Sequence, residues 1–251
     1  MAKNDWTYEE HVVAFNLYCK IPFTKINATY KPVIELAKLI GRSNGSVAMK
    51  LANFARLDPA QRARNVSGLT RGAKGEEKVW NEFNNNWEEL GWKSEQILAR
   101  YKSESIESSA EVYIDDLPLG IDRETIVRLR VNQAFFRKTI LASFNYKCCI
   151  TGINSTELLI ASHIKPWAAD KENRLNPTNG LCLNALFDKA FDSGLLTITP
   201  DYTVKISDTL NLEKENNLFF SKYNKSKIFL PQKFLPNKEF LEYHNSKVFK
   251  K

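Results

Sequence analysis

Residues 147–198 read KCCITGINSTELLIASHIKPWAADKENRLNPTNGLCLNALFDKAFDSGLLTI. Alternation over Leu158–Ile164 predicts a strand that puts Leu159, Ala161 and His163 on one face and Leu158, Ile160, Ser162 and Ile164 on the other. Cys148–Thr151 reads as a shorter strand before it, with Gly152–Thr156 as the turn that lets the two lie antiparallel. Pro166 ends the second strand because it lacks an N–H. A long polar loop, 167–178, leads to the turn signal Asn179-Gly180 and the apolar run Leu181–Leu183. Asn184 can cap a helix that runs to about Asp192 and is stopped by Gly194. The unit is strand, strand, helix.

Three kinds of side chain in this unit carry chemistry. Asp188 and Asp192 stand four residues apart, so both carboxylates project from one helix face. Oxygen ligands of that kind suit a hard divalent cation that keeps several positions for water and phosphate. His163, if neutral, can take a proton from water near pH 7. Asn179 is expected to fix the loop and to orient the imidazole through its amide. Arg174 reads as a holder of the scissile phosphate or, equally, as half of a salt bridge. Each has a purely structural reading as well. A lone strand His is usually a core or surface residue, and Asp192 reads equally as a helix-end residue.

The order of these residues resembles that of the HNH endonucleases, the ββα-metal nucleases, and more closely their restriction endonuclease subgroup. The resemblance runs from about Arg128 to Ile198 through VNQAFFRKTIL, CCITG, ASHIKPW and RLNPTNGLCLNALFDKAFDSGLLTI. Sixteen residues separate His163 from Asn179, nine more reach Asp188, and four more reach Asp192. The resemblance implies His163 as general base, Asn179 as the orienting residue, and Asp188 with or without Asp192 as ligands of Mg²⁺ or Mn²⁺. It also implies double-stranded DNA as substrate and a cognate methyltransferase as partner. Since one such site cuts one strand, double-strand cleavage would need a homodimer or two successive events. Two features depart from the family pattern. Ser162 stands where many members have an Asp, and the helix LFDKAFD lacks a closing His. They leave open a DNA-binding protein without chemistry on a nuclease fold. An RNA nuclease also stays open, because the metal site does not choose the sugar.

Outward from this stretch, the helix predicted at 124–145 places Arg130, Gln133 and Arg137 on one face, which could hold phosphates or bond a carboxylate within the domain. Helices are expected at 5–20, 31–41 and from Ser43 onward, the last carrying Lys50, Asn53 and Arg56. Helix, Gly-containing turn and helix with polar groups is how a helix-turn-helix reads, with Lys50 and Arg56 turned to a groove. A three-helix packing unit reads nearly as well. Residues 76–102 predict an amphipathic helix interrupted at Gly91, and 195–207 a hairpin extending the sheet. The expected class is α+β, a helical N-terminal module followed by a ββα-metal domain. Its divisions are 1–75 (helical, with 59–75 as a linker), 76–122 (acidic connector), 123–210 (nuclease) and 211–251 (Lys-rich extension).

The net charge of +7 is concentrated at the ends. Residues 1–75 carry 12 Lys or Arg against 5 Asp or Glu, residues 222–251 carry 8 against 2, and the middle 16 against 22. Such an excess fits a polyanion partner, and fits a solvated surface equally well. The aromatics interleaved with the C-terminal lysines suggest a tail that tracks a phosphate backbone or docks for stability. No apolar run is long enough for a membrane span, and the four Cys form no C-x-x-C pair. A cytoplasmic protein with no membrane partner is expected. His11 and His244 are assigned no role.

Overall fold

The computed structural model describes residues 5–64, 74–114, 120, 122–210 and 218–251. It is α+β, and its contacts divide it into two compact units, Met1–Ala142 and Ser143–Lys251. The helix expected at 124–145 therefore falls mostly in the first unit, and the Lys-rich extension falls in the second. The expected boundaries near 75, 122 and 210 are not where the units part. Much of the 59–75 linker, part of the connector and the start of the extension lie outside the described residues.

The first unit is helical: α1 (Tyr8–Lys20), α2 (Lys31–Ile40), α3 (Asn44–Ala55), α4 (Pro59–Ala63), α5 (Lys74–Phe83), α6 (Trp87–Lys102), α7 (Ile106–Ala110) and α8 (Arg123–Ser143). Local signals set its starts and stops. Thr7 and Glu10 form a reciprocal capping box on α1. Ser43 caps α3, and Gly41 ends α2 at φ +68°. The core gathers around Phe15, which stacks on Phe54 at 4.8 Å and tilts against Trp80 and Trp87. Gly91 does not interrupt a helix as expected; the break lies at 84–86, and Gly91 sits inside α6. A Cβ there would strike the Asn132 side chain and crowd Phe135, both on α8, so the glycine permits a close helix approach.

The second unit is built on β1 (Leu159–His163) and β2 (Gly180–Asn184), antiparallel, with His163 opposite Gly180 and Leu159 opposite Asn184. The short strand expected at Cys148–Thr151 is instead a turn, closed by Gly152 N–H to Cys148 O at 2.9 Å with Gly152 at φ +77°. The partner of β1 is the apolar run after Asn179, so the hairpin is joined by the long loop, not by Gly152–Thr156. Helix α9 (Ala185–Asp192) follows β2 directly. Asn184 caps it by accepting from Leu186 N–H and Phe187 N–H, each at 3.1 Å, while its amide donates to Thr151 Oγ1 at 3.0 Å. The helix packs on both strands and buries Phe187 and Phe191 completely, worth about 1.5–3 kcal/mol each.

Strands β3 (Leu196–Ile198) and β4 (Val204–Ile206) form the expected hairpin, but as a separate two-stranded sheet and not an extension of the first. Helices α10 (Leu218–Ser221) and α11 (Lys238–Lys247) complete the unit. The C-terminal stretch is no loose tail. Phe229 N–H bonds Cys149 O at 2.7 Å, and Ile228 N–H bonds Tyr202 O at 3.0 Å. Among the described residues no helix is long and apolar enough to cross a membrane.

Candidate active site

His163 ends β1, and Asp188 and Asp192 lie one turn apart on α9, which crosses the hairpin. All three line one cavity of about 400 Å³, together with Ser162, Trp167, His244 and Val248. The local fold accounts for this. The β1–β2 register brings His163 to the end of the hairpin beside the loop, and the Asn184 cap starts α9 immediately after β2, so its acidic face turns back over β1.

The imidazole is held from the loop. Its Nε2–H donates to Arg174 O at 2.8 Å, and the Trp167 ring stands edge-on at 5.4 Å. A carbonyl only accepts, so the neutral ring carries its proton on Nε2 and its lone pair on Nδ1. Burial lowers the His163 pKa from its ordinary value; the Arg174 carbonyl and the Asp188 charge act against that, and the Arg174 charge adds to it. The ring is therefore a neutral base at neutral pH.

Asn179 differs from expectation in what it touches. Its side chain is 1% exposed. Oδ1 accepts from Lys165 N–H at 2.8 Å, and Nδ2 donates to Lys165 O at 3.2 Å and Asn173 O at 3.1 Å. The amide thus bonds the backbone just before the loop, at Lys165, and in its middle, at Asn173, and not the His163 ring. Asn173 precedes Arg174, whose carbonyl His163 binds.

The carboxylates are short of positive charge. Partial burial raises the Asp188 pKa; Ser162, His163 and Lys189 only moderate the rise. Asp192 is more open to water, and its pKa is also raised, by the pocket wall and by the charge of Asp188. The Ser162 hydroxyl is buried and lies close enough to Asp188 to act on it, yet makes no hydrogen bond of ordinary geometry. Among the described residues no set of three His, Cys, Asp or Glu converges on one point. Two acids pushed up by burial, Asp192 also by the charge of Asp188, fit a divalent cation, which would reverse both effects while leaving coordination positions for water and substrate.

The other expected contacts divide. Arg174 lays its guanidinium over Trp167 at 4.8 Å and donates from Nε to Trp167 O at 2.8 Å. Arg130, Gln133 and Arg137 share a face of α8 in the other unit, where Arg130 Nη1 bonds Gln133 Oε1 at 3.3 Å. Lys50 corrects the groove-facing reading of α3. It is 8% exposed, and its ammonium pairs with buried Glu76 at 2.7 Å. Asn53 donates to the same carboxylate at 2.9 Å, and Arg56 pairs with Glu77 at 2.8 Å. The polar face of α3 thus points toward α5, and its open side is formed by Gly45 and Met49.

His244, given no role from sequence, is a wall of the cavity. It is 1% exposed, stacks on Phe191 at 3.6 Å, and its pKa is lowered to about 4 by burial. Its spacing from Leu241 on α11 hints at a buried face. Its partners on β3 and α9 are some fifty residues away, where no local pattern shows them.

Residues 148–199 match the HNH endonuclease family. No curated protein matches the chain. The matched segment spans the Cys148 turn, both strands of the hairpin, α9 and β3, and so includes His163, Asn179, Asp188 and Asp192. Residues 148–199 are thus similar to the HNH endonuclease family and form an HNH endonuclease-like domain.

Proposed function

We propose that the protein is a metal-dependent DNA endonuclease of restriction type, with His163 as general base and Asp188, joined by Asp192, as the ligands of Mg²⁺ or Mn²⁺. The observation that carries this is the shared cavity. A neutral imidazole with its lone pair on Nδ1 and two carboxylates wanting positive charge face the same space. His163 Nδ1 takes a proton from the attacking water, which then adds to phosphorus as the 3′ oxygen leaves. When bound, the divalent ion supplies stabilisation of the negative charge developing on that leaving oxygen. Arg174, over the Trp167 ring, holds a non-bridging phosphate oxygen. Asn179 keeps the loop closed so that the Arg174 carbonyl stays on Nε2–H. Ser162 adds no ligand charge, which makes Asp188 the main one.

Arg130 and Gln133, exposed on α8 with half-buried Arg137 on the same face, would meet a phosphate backbone, and double-stranded DNA is the partner the overall basic charge suits. Lys50 and Arg56 are not part of this proposal. A restriction role brings a cognate methyltransferase, and cutting both strands brings a homodimer or two successive nicks. The four free cysteines suit a reducing cytoplasm. A supercoiled plasmid incubated with Mg²⁺ or Mn²⁺ should pass to the nicked circle, and EDTA should stop it. A His163→Ala protein that nicks at the full rate would remove the base. Cleavage of single-stranded RNA without plasmid nicking would move the substrate class, and DNA retardation with no cleavage under any divalent ion would leave a binding protein.

A further inference from the structure

The segment 237–250 lies outside the matched residues 148–199, yet it closes on both halves of the site. Asn237 N–H bonds Thr178 O at 2.9 Å, next to Asn179. Asn245 Nδ2 donates to Ile198 O at 2.8 Å. Lys250 N–H bonds Gly194 O at 3.0 Å, and the Val248 carbonyl packs so tightly over Gly194 that no Cβ fits there. At the centre, His244 Nε2 bonds Phe191 O at 3.2 Å, and its Nδ1 bonds Thr197 Oγ1 at 2.8 Å.

The His244 contact falls on the helix that carries both acids, and the Gly194 contacts lie just past its end. With eight residues, α9 is too short to be stable alone. Its last carbonyls have no partner further along the helix; Ala190 O and Phe191 O accept from Leu195 N–H and Gly194 N–H, each at 2.9 Å, and Phe191 O, next to Asp192, takes a second bond from the His244 ring. Since Phe191 O only accepts, the His244 proton is on Nε2, and Nδ1 accepts from the Thr197 hydroxyl. With both nitrogens engaged and the ring stacked flat on Phe191, His244 cannot itself ligate an ion without breaking one of these bonds.

We infer that His244 is a positioning residue of the nuclease site. It caps the C-terminal turn of α9 from α11 and thereby fixes the Asp188 and Asp192 carboxylates over His163. This rests on the proposal that those two acids hold the divalent ion. The cavity wall formed by His244 and Val248 makes the C-terminal segment part of the site, not an appendage to it.

The test is Mn²⁺ binding to the full chain, followed by loss of the free-ion EPR signal. His244→Phe keeps the stacked ring and loses both hydrogen bonds; it should weaken Mn²⁺ binding about 10- to 100-fold. His244→Gln, which restores a donor toward Phe191 O, should recover most of that loss. Metal-free affinity for duplex DNA should stay within about twofold in both, since phosphate contacts supply it. Asp188→Asn serves as control and should abolish tight Mn²⁺ binding. Unchanged Mn²⁺ affinity in His244→Phe, with Asp188→Asn defective, overturns the positioning role and spares the metal reading. Unchanged affinity in Asp188→Asn overturns the metal reading and this inference with it. Should His244→Phe not fold, Thr197→Val removes only the Nδ1 bond. It should then weaken Mn²⁺ binding about threefold, and an unchanged value overturns the inference.

Discussion

Asn179→Asp tests how the loop holds the base. The replacement has the same shape, and one oxygen still accepts from Lys165 N–H. What it loses is the donor: Lys165 O and Asn173 O, 3.2 and 3.1 Å from Nδ2, face a carboxylate oxygen instead. Each buried acceptor left without a partner costs about 1–3 kcal/mol, so with two of them the variant should lose roughly 2–6 kcal/mol, a large part of the ~5–15 kcal/mol typical of a domain. The deficit should depend on pH in a defined direction. Two carbonyls and burial raise the new carboxyl's pKa in the folded state above its unfolded value. Stability contributed by the protonated form is present below the unfolded pKa and lost as pH rises through the folded one. Urea unfolding should therefore show a smaller gap from wild type near pH 4 than near pH 8. Four of the five tryptophans lie in the other unit, so fluorescence would report mainly on that unit; exchange of the Lys165 amide hydrogen is the better local probe and should speed up. Single-turnover nicking should fall about 100-fold as the Arg174 carbonyl releases the ring. A variant as stable as wild type at pH 8, with a protected Lys165 amide, would refute the reasoning.

Three further outcomes follow from the same contacts. His163→Ala should cut nicking about 10²–10⁴-fold while leaving DNA retardation intact; because burial lowers the His163 pKa, the acidic limb of the wild-type pH–rate profile should lie below ~6.5 and be absent from the variant. Burial raises the Glu76 pKa, but its bonds from His11, Lys50, Asn53 and its own backbone outweigh that and hold it at about 2. The resulting stability is present above the ordinary 4.5 and lost as pH falls toward 2; Glu76→Gln should cost about 3 kcal/mol at pH 7 by stranding buried Lys50 and should flatten acid unfolding in that window. Gly194→Ala should lower stability by about 1–3 kcal/mol, because Gly194 sits at φ +72° under the Val248 carbonyl; thermal melting and faster proteolysis of the C-terminal segment would show it.

The parts of the site legible in sequence are those fixed by neighbours along the chain. The Asn184 cap, the Gly194 stop and the four-residue spacing of the acids each need only local geometry, and α9 appears where they put it. Strand pairing needs more. β2 is buried along its whole length, so its residues show no alternation, while Cys148–Thr151 has strand-like composition but is bent by Gly152. Asn179 was found by its spacing and its turn, yet its bonding partners are the backbone of Lys165 and Asn173, which composition cannot mark. His244 depends wholly on contacts across some fifty residues.

Charge misleads for a related reason. Helical period shows that Lys50, Asn53 and Arg56 lie close together, but not whether their face is wet. The deciding residue is Glu76, more than twenty positions on and buried among them. Arg42 is likewise tied to buried Glu10 at 2.9 Å, and Lys20 to buried Glu95 at 2.5 Å. In the C-terminal stretch Lys227 pairs with Asp201 at 2.5 Å, and Lys233 is fully buried. Part of the basic excess at both ends is thus paired with acids or buried, Lys227 with its partner at the surface and Lys50, Arg42, Lys20 and Lys233 within the fold. A polyanion partner must therefore be recognised by specific side chains open to it, and the residues facing the cavity of His163 and Asp188, with Arg174 at its loop, carry that argument better than the net charge does.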